Sequence, residues 1–91
     1  MLLKNYVFKL VPLVNPDGVA RGSWRFDTNG INLNRRYVDP DQQSQPTIAA
    51  VKEEILKEHQ RGNLKLFVDF HAHRVKRGCF IYGTKGKNAK A

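Results

Sequence analysis

Residues 19–45 hold no sustained hydrophobic period, and this stretch limits the fold more than any other. A connection that long in a small domain is unusual unless it carries function. It contains Gly22, Asn29, Gly30, Asn32, Asn34, Pro40 and a Gln/Ser run. Before it lies the apolar run Tyr6–Val14, whose β-branched and aromatic residues predict a buried strand. Pro12 has no N–H to donate and belongs near the strand's end or at a sheet edge. Asn15-Pro16-Asp17-Gly18 closes the run with turn chemistry: Pro fixes φ, Asp bonds its own backbone, and Gly admits φ > 0.

After the long polar stretch, Pro46–Gln60 reads as a helix. Ile48, Val51, Ile55 and Leu56 form one apolar stripe, with Lys52, Glu53, Glu54, Lys57 and Glu58 turned to water. Pro46 suits a first turn, and Arg61-Gly62 suits an end. Leu64–Phe70 predicts a second strand, and Cys79–Gly83 a short third. Strand, helix, strand with a crossover implies a parallel pair in a sheet, so the expected fold class is α/β. There is no internal repeat. Residues 1–84 are expected to form the folded part, and 85–91 a basic, disordered tail.

With 91 residues the chain allows one domain at most and a thin core. Its 41% hydrophobic and 26% charged content is that of a globular protein. The single cysteine, Cys79, excludes an internal disulfide framework and a four-cysteine zinc ribbon, and it suits a reducing compartment. Met1–Lys4 does not read as a signal peptide, because Lys9 and Pro12 break the apolar stretch that follows. No run approaches the roughly 20 apolar residues of a membrane span. A soluble, cytoplasmic protein is expected, with no membrane partner.

The net charge of +8 is unevenly placed: eight Lys or Arg and one acid lie from Arg61 onward. Such an end attracts nucleic acid, anionic membrane or an acidic polypeptide, or it is simply solvated. No RNP-like, zinc-finger or helix-turn-helix pattern supports nucleic acid, and none is expected as a partner.

Several residues could carry chemistry. His71 leaves the apolar run Leu66–Phe70, and ligands of open α/β sheets gather at the carboxyl ends of strands. A neutral imidazole there suits zinc. His73, two residues on, is a second candidate. Arg25, Asn34 and Arg35 lie in the polar loop, where an arginine fork suits carboxylates and an Asn amide adds neutral donors.

Together, Asn15-Pro16-Asp17-Gly18-Val19, Gly22, Arg25, Gly30, Asn32-Leu33-Asn34-Arg35 and Asp69-Phe70-His71-Ala72-His73 resemble the zinc carboxypeptidases related to carboxypeptidase A. Arg77-Gly78-Cys79-Phe80-Ile81-Tyr82-Gly83 is similar to their cytosolic branch, which removes glutamates from tubulin tails. The resemblance spans Tyr6 to Gly83. It implies a partial zinc-carboxypeptidase fold with Zn2+ as cofactor and polyglutamylated protein tails, such as those of tubulin, as partners. It also implies roles. Arg25 polarises the scissile carbonyl and stabilises the oxyanion, Asn34 and Arg35 bind the substrate's terminal carboxylate, and His71 is a zinc ligand. Asn32 matches a position that orients a zinc-bound histidine, and His73 lines the site without ligating.

The departures from that pattern are specific. The family's other two zinc ligands come from an upstream His-x-x-Glu. None of His59, His71 and His73 is followed three residues later by Glu, and no other His exists in the chain. After Glu58 the only acid is Asp69, so the family's downstream glutamate base has no counterpart. The chain is therefore expected to be the middle of a catalytic domain, inactive and weakly folded alone. The competing expectations are a non-enzymatic basic binding module, using Trp24, Tyr37 and Phe80, and an inactive remnant.

Overall fold

The computed structural model describes residues 1–84. The tail expected at 85–91 lies outside the described residues. Among the described residues there are two α-helices, α1 (Pro16–Ala20) and α2 (Pro46–Gln60), with short 3-10 turns at Leu2–Lys4 and Leu33–Arg35.

Helix α2 forms where the apolar stripe and the flanking residues place it. Pro46 opens it, where a missing N–H costs nothing because the first turn has no internal acceptor. It ends at Gly62, whose φ of +73° lets the backbone turn back. Gly62 N–H donates to the His59 carbonyl and Asn63 N–H to the Glu58 carbonyl, satisfying C-terminal acceptors. The stripe is buried unevenly. Ile48 is 1% exposed, Val51 and Ile55 are half-buried, and Leu56 is exposed. The polar side also differs from the expectation that it faces water throughout. Lys52, Glu54 and Glu58 are half-buried because they hold neighbouring chain. Lys52 Nζ donates to the Val38 carbonyl, and Lys9 bonds Glu54 and Glu58.

The Asn15–Gly18 sequence does not make the expected reverse turn. It begins α1, with Pro16 in the first turn and Asn15 as N-cap. Asn15 Oδ1 accepts from Gly18 N–H at 3.1 Å, while its Nδ2 donates to the Phe26 carbonyl at 3.1 Å. One amide thus caps the helix and ties it to the far side of the loop. Gly18 is needed for space and not for positive φ. A Cβ there would lie 2.5 Å from the Phe26 carbonyl oxygen and 2.2 Å from Asn15 Nδ2.

The long polar stretch is ordered by its own side chains. Asp27 Oδ1 accepts from Asn29 N–H at 2.9 Å and Ile31 N–H at 2.8 Å. Gly30, at φ +74°, completes the reversal, and Phe26 and Asn32 form an isolated antiparallel bridge. Asp41 collects the Gln43 and Ser44 N–H groups, and hydrogen bonds from Ser44 hold its carboxyl below the usual range. Gln45, buried, accepts from Asp41 N–H through Oε1. Leu33 and Ile48 are the buried apolar residues at the centre of this knot.

The expected sheet is not formed. Among the described residues there is no strand ladder, and Tyr6–Val14, Leu64–Phe70 and Cys79–Gly83 run without β-pairing. Val7 is 87% exposed and Phe70 94%. The physical reason is that a strand, unlike a helix, has no internal hydrogen bonds and needs a neighbour. What keeps Tyr6–Val14 near α2 is the Lys9 ammonium, 2.9 Å from Glu58 and bonded also to Glu54.

Candidate functional site

The 3-10 turn at Leu33–Arg35 presents Asn34 and Arg35 outward while Leu33 anchors it in the knot. Asn32 starts the turn, its Oδ1 accepting from Asn34 N–H at 3.2 Å. Asn32 thus orients Asn34 here. From the other direction the chain turns at Gly62 and runs to His71 without regular secondary structure. The two meet: Asn34 Nδ2 lies 3.3 Å from His71 Nε2, across 37 residues of sequence. Asp69 Oδ2 is 3.8 Å from the same nitrogen, and His71 Nδ1 faces the Ala72 carbonyl at 3.3 Å.

Two further residues belong to this neighbourhood. Tyr37 is half-buried, and burial, then the negative charge of Asp69, push its phenol above the usual value. The phenol stays protonated at neutral pH. Asp69 could have been found from sequence alone, since a residue two before His71 in extended chain shares its face. Tyr37 carried no such signal, because nothing local links residues 37 and 69.

Arg25 and Arg35 are less closely joined to the pair. Arg35 Nη1 approaches the Asn34 carbonyl at 3.5 Å, and Arg25 stacks on Trp24 with its guanidinium carbon 4.5 Å from the ring centroid. Both guanidinium groups are in residues open to solvent, so their donors are accessible to an anion. His73 is engaged elsewhere. Its Nδ1 accepts from Val75 N–H at 3.1 Å and Lys76 N–H at 3.0 Å, which ties the ring to the bend that follows. Its ring meets Phe80 edge-on at 5.4 Å, and Lys76 lies over Phe80 and Tyr82.

The arrangement sets exposed guanidinium and amide donors, of a kind that suits an anion, in the same loop as an amide that meets an imidazole. A zinc site of hydrolytic type needs three protein ligands. Among the described residues no group of three His, Cys, Asp or Glu side chains converges to hold a metal. His71 and Asp69 do not by themselves make such a site.

Residues 1–88 match the zinc carboxypeptidase family model, and the chain belongs to that family. The family's enzymes use Zn2+ and share an α/β fold. Mouse (Mus musculus) cytosolic carboxypeptidase 6 is 38% identical over 86 residues, which is 92% of this chain and 16% of that protein. Mouse cytosolic carboxypeptidase 4 is 40% identical over 89 residues, 96% of this chain and 8% of that protein. Zebrafish (Danio rerio) cytosolic carboxypeptidase-like protein 5 is 46% identical over 63 residues, 69% of this chain and 7% of that protein. The chain thus spans less than a fifth of the length of these relatives. Among the described residues, no helix is long and apolar enough to cross a membrane.

Proposed function

We propose that this chain forms the carboxylate-gripping part of a cytoplasmic metallocarboxypeptidase that removes C-terminal or branched glutamates from polyglutamylated protein tails such as those of tubulin. Asn34 and Arg35 bind the substrate's terminal carboxylate, Arg25 waits where negative charge develops on the scissile carbonyl, and His71 is one zinc ligand. The remaining ligands and the glutamate base come from outside these 91 residues. So do the strands that pair with Tyr6–Val14 and Leu64–Phe70 into a sheet. The observation that carries the reading is the 3.3 Å approach of Asn34 to His71. It brings the Asn34 amide beside the imidazole, and zinc ligation at Nε2 would take over the lone pair that accepts from that amide and release the amide for a carboxylate. The net charge of +8 and the basic run Arg74, Lys76, Arg77 favour an acidic substrate.

The test uses the longer protein that carries this chain, with glutamate release from glutamylated peptides as readout. Arg25→Ala is expected to lower kcat by about 10²–10³-fold, the usual cost of a lost oxyanion donor. Arg35→Ala is expected to raise KM with a smaller change in kcat. Equal activity in both variants would sink the assignments. The isolated chain is expected to bind zinc weakly, and tight stoichiometric binding in a zinc titration would overturn the division of ligands. Salt-dependent DNA binding with no response to polyglutamate would favour the basic binding module instead.

A further inference from the structure

We propose that Trp24 is a positioning residue, its indole holding the Arg25 guanidinium so that the cation presents its N–H edge in a fixed direction. The inference rests on the role proposed above for Arg25 and extends it to a neighbour.

The first observation is the stack itself, with Arg25 Cζ 4.5 Å from the centroid of the Trp24 ring. The second is that Trp24 is 74% exposed, so core packing does not account for so large an apolar group there. The third is the backbone. Ser23 N–H donates to the Gly18 carbonyl at 2.8 Å, Phe26 N–H donates to Ser23 Oγ at 3.0 Å, and Asn15 Nδ2 holds the Phe26 carbonyl at 3.1 Å. Trp24 and Arg25 therefore occupy a corner fixed at both ends, and only their side chains remain to be placed.

A free arginine samples many rotamers and loses that freedom when it binds. Stacking removes part of the loss in advance. It uses the flat face of the guanidinium and leaves the in-plane donors for a carboxylate or an oxyanion. An exposed cation–π contact corresponds to about a two- to fivefold effect on binding.

Trp24 is the single tryptophan of the chain, so its fluorescence reports the stack directly. In the 91-residue chain, Arg25→Gln is expected to shift the emission and its quenching by acrylamide, with Arg25→Lys in between. Far-UV circular dichroism of α2 checks that each variant keeps its fold. In the longer protein that carries this chain, Trp24→Leu is expected to lower kcat for glutamate release about two- to fivefold with KM unchanged, restored by Trp24→Tyr. Unchanged emission in Arg25→Gln overturns the stack. Equal kcat of the wild-type, Trp24→Leu and Trp24→Tyr proteins overturns the positioning role. If Arg25→Ala leaves kcat unchanged while emission still responds to Arg25→Gln, the stack is supported and the oxyanion reading of Arg25 is what fails.

Discussion

Ile48 is 1% exposed and Phe70 94%, yet both are large apolar residues in segments whose pattern marks them for burial. The difference lies in what each segment needs. Residues 15–60 close on themselves: an N-cap at Asn15, an Asp27-centred reversal, the Asp41–Gln45 turn and a helix with internal hydrogen bonds. Residues 64–84 carry no regular secondary structure, and the strands expected there require a neighbouring strand. Local chemistry builds the first region completely and the second only as far as its path.

Substitutions that break the comparison should act on the first region and spare the second. Ile48→Ala is expected to cost about 2–5 kcal/mol, the usual range for a buried aliphatic truncation. Phe70→Ala should stay within about 0.5 kcal/mol, as at an open surface. Urea titration followed by α2 ellipticity compares them, and a similar cost for both would mean that Phe70 packs in solution. Gly18→Ala is next, at about 1–3 kcal/mol, because the added Cβ meets backbone at Phe26 and the capping amide. Asn15→Ala should cost about 1 kcal/mol through the lost cap. If Gly18→Ala proves stabilising, the close approach of α1 to Phe26 is wrong.

The smallest effect concerns the tether between the regions. Hydrogen bonds from Lys9 hold the Glu54 and Glu58 carboxyls below their usual range, and the same bonds hold the Lys9 ammonium above its own. A depressed carboxyl contributes above its unfolded value of 4.5 and loses that contribution as pH falls through the folded value. A raised ammonium contributes below its unfolded value of 10.5 and loses that as pH rises through the folded one. The tether should therefore be fully present at neutral pH and loosen in acid below the ordinary carboxyl value of 4.5. The distance distribution between spin labels at Val7 and Glu53 should broaden there, and Lys9→Met should broaden it at pH 7. No change in either case would remove the tether's role.

The helix was legible because its determinants are local: Pro46, a 3.6-residue stripe and Gly62. The expected strands did not form among the described residues, because a strand's hydrogen-bonding partner is not encoded in the apolar run itself. Gly18 was visible as special for the wrong reason. A glycine required for closeness looks in sequence like one required for positive φ, and only the Phe26 carbonyl, eight residues away, tells them apart. The candidate site residues Arg25, Asn34, Arg35 and His71 were named from their order in the chain. The meeting of His71 with Asn34 lies beyond any local signal, and the Trp24 stack and the Tyr37–Asp69 approach lay outside that pattern.

The Gly62 reversal also works as a ruler. Fifteen residues of α2 rise about 22 Å, and the seven residues Leu64–Phe70 span at most about 23 Å. The two lengths are comparable, and beyond them His71 lies 3.3 Å from Asn34. Adding a turn to α2 would demand about two more residues on the return leg to restore the meeting. Deleting one residue from that leg would shift His71 by about 3.3 Å and turn it to the opposite face. Insertions and deletions between 46 and 71 are thus expected to keep the Asn34–His71 meeting only in compensating pairs, a gearing that couples two lengths no single substitution could reveal.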